Sequence, residues 1–112
     1  MARYAHLPIF QKGYDLIIRF FQETRNFPRE HKFTLGQKIK DTGLELLDWI
    51  IMANLERDKR PALKEINLRV ERLRIYTRLS YDLKVIGIKK YEVLSKYIDE
   101  IGKMVGGWMK SI

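Results

Sequence analysis

Tyr91, Leu94, Ile98, Ile101, Val105 and Trp108 follow one another at intervals of three and four, a spacing that lines apolar side chains along one stripe of an α-helix. Three earlier segments carry the same signature. The first has Leu7, Phe10, Tyr14, Ile17 and Phe21, with Pro8 where a first helical turn tolerates it. The second has Leu35, Ile39, Thr42, Leu46, Trp49 and Ala53; Thr34, with Gln37 three residues on, has the form of a capping box and puts its start between Pro28 and Thr34. The third opens with Pro61 and runs through Leu63, Ile66, Val70 and Leu73, after which its seam is expected to shift to Tyr76, Leu79, Leu83 and Ile86. No useful length of the chain alternates polar and apolar residues with period two, so strands find no support.

Breaks at 26–30, 57–61 and 86–88, marked by Pro28, Pro61 and Gly87, leave four segments of about 18 to 26 residues, or about 27 to 39 Å as helix. Matched rods joined by short loops predict an all-α fold, an antiparallel up-down four-helix bundle, with residues 1–112 forming one domain. Hydrophobic residues at 46% and charged residues at 32% fit a chain that folds and does not span a bilayer. The greasiest stretch, Leu44 to Leu55, is interrupted by Glu45, Asp48 and Asn54. Cysteine is absent, and Met1 to Pro8 lacks the basic start and apolar run of a signal peptide; the expected location is the cytoplasm.

Apolar residues exceed what one core needs. Leu68, Tyr76, Leu79 and Leu83 lie about 100° or more around the third helix from its first seam, and Val93, Tyr97 and Met104, like Leu47 and Ile51, lie beside the main seams of their helices. This surplus predicts subunit contacts in a homo-oligomer. Gly102 and Gly106 form a small-xxx-small pair, followed by Gly107; close approach of another helix would offset their helical cost of about 1 kcal/mol each.

Positive charge is concentrated. Of a net +8, residues 57–84 hold nine basic side chains against four acidic ones, which is +5, leaving +3 for the other 84 residues. Arg74 and Arg78 share a helix face, with Lys64 and Arg60 broadly on the same side and Arg69 and Arg72 between them in sequence. Arginine suits bidentate phosphate contact, so these six are the candidate binding residues for nucleic acid or an acidic partner. The competing expectation is that they pair with carboxylates on this and neighbouring helices.

Signs of catalysis are missing. His6 and His31 have no second histidine or Glu-x-x-His at ligand spacing, so no metal site is expected. No serine has a histidine near it in sequence, and Gly106-Gly107 lacks the Lys-Ser/Thr of a phosphate-cradling loop. The expectation is a binding protein with no cofactor and no enzymatic activity.

Phe27-Pro28-Arg29-Glu30, followed by Phe33, Leu35, Gln37 and Ile39, resembles the first interhelical connection of the four-helix-bundle family first associated with intervening sequences of bacterial large-subunit ribosomal RNA. Leu73-Arg74 with Arg78-Leu79, and Glu100-Ile101-Gly102-Lys103-Met104-Val105-Gly106-Gly107-Trp108, look like the accessory variability determinant of diversity-generating retroelements, a branch of that family. Together the likeness runs from about Pro8 to Lys110. It implies a homopentameric barrel of four-helix bundles, a non-catalytic partner of the retroelement's reverse transcriptase that contacts template RNA or DNA and supports error-prone copying. Arg74 and Arg78 match the family's basic motif; the basic loop Arg57, Lys59 and Arg60 matches none. The alternative is a structural homo-oligomer that meets an acidic protein or ribosomal RNA.

Overall fold

In a computed structural model, which describes residues 3–112, the chain is all-helical, with four long helices and no strand among the described residues. A 3₁₀ turn, Arg3–His6, leads into α1, Pro8–Thr24. A single turn, α2, Arg29–Lys32, precedes α3, Leu35–Leu55; α4 is Arg60–Asp82 and α5 is Ile88–Lys110. Contacts fix the ring. The Gly13 backbone lies by Ile50 and that of Gly43 by Ile17, so α1 and α3 are antiparallel; Arg69 reaches Glu45, setting α3 against α4. Tyr81 stacks on Tyr91 between α4 and α5, and Lys12 pairs with Glu100 while Lys90 pairs with Glu23, which closes α5 onto α1. The result measures 43 × 23 × 22 Å.

The core matches the expected seams in α3 (Leu35, Ile39, Thr42, Leu46, Ala53), in the first half of α4 (Leu63, Ile66, Val70, Leu73) and in α5 (Leu94, Ile98, Ile101, Val105). In α1 it does not. The buried line is Ile9, Gly13, Leu16 and Phe20, with Ile17 beside it, whereas Tyr14 is 52% and Phe21 41% exposed. Two apolar stripes about 100° apart fit the same three-four spacing, and the aromatic one appears stronger in sequence. At Ile17 α3 comes so close that a β-carbon on Gly43 would sit 3.0 Å from Ile17 Cγ1. The second half of α4 also departs from expectation. Its seam runs straight on through Thr77 and Ser80, both buried, and leaves Leu79 and Leu83 exposed. Small hydroxyls look polar in a sequence, but Ser80 Oγ satisfies itself on the Tyr76 carbonyl at 2.8 Å. In α3, Ile50 fills the core position expected of Trp49, which is half-buried.

The connections are built from local chemistry. No capping box forms at Thr34: its hydroxyl donates back to the Glu30 and His31 carbonyls, and Gln37 Nε2 donates to Asp41. Phe27, buried, packs beside Gly36 and so pins the first connection. The second is held by Lys59, whose ammonium donates to the carbonyls of Ala53 (2.8 Å), Asn54 (3.4 Å) and Glu56 (3.0 Å), neutralising the free C-terminal end of α3. That is a structural task for one base of the loop that matched no family motif. The third is a Schellman turn: Val85 N–H donates to the Ser80 carbonyl and Lys84 N–H to that of Tyr81, with Lys84 at φ 61°. Glycine is free of the β-carbon penalty there, so Lys84→Gly is expected to raise unfolding stability by about 1 kcal/mol in urea titrations. A neutral or negative change would show that Lys84 makes a compensating contact.

Candidate nucleic-acid interface

Because the core takes one side of α4, its opposite, solvent-facing crown carries Leu68, Arg72, Ile75 and Leu79, all exposed, with Ile75 at 61%. The candidate basic residues flank this apolar crown. Arg60, Lys64, Arg74 and Arg78 lie along the α5 side and Arg69 along the α3 side, so the six do not form one strip. At its C-terminal end the crown continues into an open groove of about 630 Å³, lined by Phe33, Leu35, Tyr76, Leu79 and Leu83 with His31, Lys38 and Asp41 at its edge.

Carboxylates hold four of the six. Arg69 is the most committed: it bonds Glu65 one turn away and Glu45 of α3 at 3.0 Å, lies 5.6 Å from the Trp49 ring, and its side chain is only 13% exposed. It clamps α4 to α3 and is not displayed to a partner. Burial works against its charge, but the bonds to Glu45 and Glu65 outweigh that and raise its pKa. Arg74 bonds Asp99 across the α4–α5 groove and Glu71 at 3.4 Å. Arg78 pairs with Asp82 at 3.0 Å and Arg60 with Asp58 at 3.0 Å, each bond holding the guanidinium more firmly protonated. Lys64 and Arg72 are exposed and have no carboxylate within ion-pair distance among the described residues. Exposed pairs of the Arg78 and Arg60 kind add little to stability, so an incoming phosphate can exchange for the carboxylate; the doubly paired, half-buried clamp of Arg69 is harder to exchange.

The Gly102 backbone is part of this arrangement. A β-carbon there would sit 3.3 Å from Arg74 Nη2, so the missing side chain gives the guanidinium its path to Asp99. A β-carbon at Gly106 or Gly107, by contrast, would meet nothing within 4 Å, so no close helix contact within the chain requires glycine there.

One set of bases escaped the sequence reading. Lys89, Lys96, Lys103 and Lys110 are all exposed on the crown of α5. Their strict interval of seven was the available signal, but a count of net charge drew attention to 57–84, since acids interleave with these lysines. Beside them, on the α1 side, Lys12 donates to Glu100 at 2.7 Å and stands 5.0 Å from the Tyr97 ring, with Arg19 over the same ring at 4.8 Å. The Lys12 hydrogen bond holds the Glu100 carboxyl below its usual range, with Lys96 and Lys103 adding at longer range. Among the described residues, no group of three or more His, Cys, Asp or Glu is placed to hold a metal ion, and no helix is long and apolar enough to cross a membrane.

A family model described as bAvd-like matches residues 7–112, and no curated protein matches the chain.

Proposed function

The chain belongs to the bAvd-like family, and from that premise we propose that it is a non-catalytic accessory protein of a diversity-generating retroelement, binding the element's reverse transcriptase together with its template RNA or the DNA copied from it. The observation that carries the proposal is the family match across nearly the whole chain, which agrees with the likeness in Glu100 to Trp108 and in Arg74 and Arg78. Two features of the molecule support it. The net charge of +8 favours a polyanionic partner, and the apolar crown of α4 is more greasy surface than an isolated subunit benefits from exposing. We read that crown as a subunit contact in a homopentameric barrel working in the cytoplasm. Lys64 and Arg72 are the residues of α4 free to meet phosphate; Arg60, Arg74 and Arg78 can do so at the cost of their carboxylate pairs, and Arg69 supports the helix that carries them.

The experiment is RNA binding across a salt series. The native protein is expected to bind a labelled single-stranded RNA with an affinity that falls steeply with salt, and Arg74→Ala/Arg78→Ala to weaken binding by about tenfold or more, because the surface loses two positive charges. Unchanged binding by the folded double variant, or no binding at low salt, would count against the proposal. A second reading is favoured by the ion pairing of Arg60, Arg69, Arg74 and Arg78: a structural homo-oligomer that meets an acidic protein or ribosomal RNA. Capture of the reverse transcriptase by the purified protein discriminates the two.

A further inference from the structure

We infer that the nucleic-acid backbone is gripped by the lysine ridge of α5, formed by Lys89, Lys96, Lys103 and Lys110, and that Arg74 acts on this contact indirectly, by holding the Asp99 carboxylate off the ridge. The inference rests on the nucleic-acid reading above and assigns that activity to a different surface.

Seven residues are nearly two helical turns, so each lysine is turned by only about 20° from the last, and the four stand about 10.5 Å apart in a gently slanting row of about 31 Å. All four are exposed, and none has a carboxylate within ion-pair distance among the described residues. This clearing is produced by the neighbours. Asp99 stands three residues after Lys96 and four before Lys103, the spacing at which a helical carboxylate pairs with lysine; instead it is bonded to Arg74 of α4. Gly102 leaves the space through which that arginine reaches it. On the other flank, Glu100 is engaged by Lys12 of α1. Of the acids of α5, Glu92 alone has no cationic partner within that distance among the described residues.

The ligand follows from the shape. Cations spread evenly along a rod do not converge on a small anion, but they suit an extended polyanion with regular phosphates. Between the lysines the crown holds Glu92, Asp99, Glu100, Gly106 and Gly107, with Val93, 42% exposed, at its α1-side edge; a single valine is not the continuous apolar face that an interfacial helix inserts into a bilayer. The paired arginines of α4 must give up a carboxylate to bind phosphate; the lysines of α5 give up only water and counterions.

The test compares the native protein, Lys96→Gln/Lys103→Gln, Arg74→Ala and Arg74→Ala/Asp99→Asn, each confirmed helical by circular dichroism, for binding to a labelled single-stranded RNA of mixed sequence. Losing two lysine contacts is expected to reduce the slope of log affinity against log salt by about 1.4, and the affinity at 0.1 M salt by roughly twentyfold if the lines meet near 1 M. Arg74→Ala is expected to weaken binding, because the freed Asp99 turns onto Lys96 and Lys103, and Asp99→Asn in that background is expected to restore it. A lysine double variant that binds with the native slope overturns the ridge while leaving the nucleic-acid reading standing. Failure of Asp99→Asn to restore binding overturns the indirect role of Arg74, which then touches phosphate itself. A native protein that binds anionic phosphatidylserine vesicles and no RNA overturns both the ridge and the reading on which it rests.

Discussion

Phe20→Ala is expected to lower unfolding stability by about 3–5 kcal/mol, while Phe21→Ala, one residue along, changes it by less than about 1 kcal/mol. Phe20 is 1% exposed and packs near the Gly43 backbone at the α1–α3 crossing, whereas Phe21 lies on the surface under the Lys40 ammonium. Removing the buried ring leaves a cavity walled by helices whose spacing is set by glycine, so the wall has little freedom to collapse. Against a total of about 5–15 kcal/mol for a domain of ordinary stability, the loss is large enough to leave a measurable unfolded fraction. Urea titrations of the two variants check the point. Equal losses, or a greater loss at Phe21, would move the core of α1 to the aromatic stripe.

The second large effect concerns assembly. Ile75→Glu/Leu79→Glu is expected to convert the proposed homo-oligomer to monomers in light scattering, with helix content unchanged. Both side chains stand on the crown of α4, exposed in the single subunit, and neither belongs to its core. Burying them against another copy gains roughly 25 cal/mol for each Å² of apolar surface removed from water, whereas a carboxylate placed there without a partner costs several kcal/mol on desolvation. Ile75 and Leu79 are one turn apart, so the two charges fall within a single contact and act together. An oligomer that survives both substitutions at native concentration would show that the subunits meet elsewhere.

Much of this architecture could be read before any coordinates. Four apolar periodicities and three breaks gave the helices, because a core of packed rods forces that pattern on the residues that fill it. The register of α1 could not be read, since Phe10, Tyr14, Ile17 and Phe21 on one stripe and Ile9, Leu16 and Phe20 on the next satisfy the same periodicity, and the choice is made by packing against the other helices. The end of the α4 seam was hidden for a different reason: Thr77 and Ser80 are small hydroxyl residues that a search for apolar side chains passes over. For the candidate site, the sequence located the arginines but not their partners. Glu45 lies 24 residues from Arg69, and Asp99 lies 25 from Arg74. Charge counted along the chain therefore overstates what α4 presents to a ligand and understates α5, two of whose three acids, Asp99 and Glu100, are drawn off by other helices.

The antiparallel ring also orders the events by which the chain acquires its structure. Contact is most extensive between α3 and α4, two helices joined by a short loop that Lys59 ties to the end of α3 and that Arg69 bridges farther along. Such a hairpin closes at small entropic cost and forms early, as local contacts do. Joining α5 to α1, which lie at opposite ends of the sequence, demands the longest loop closure and comes late. The seam between the lysine-bearing helix and α1 is thus expected to close last, on a platform already built.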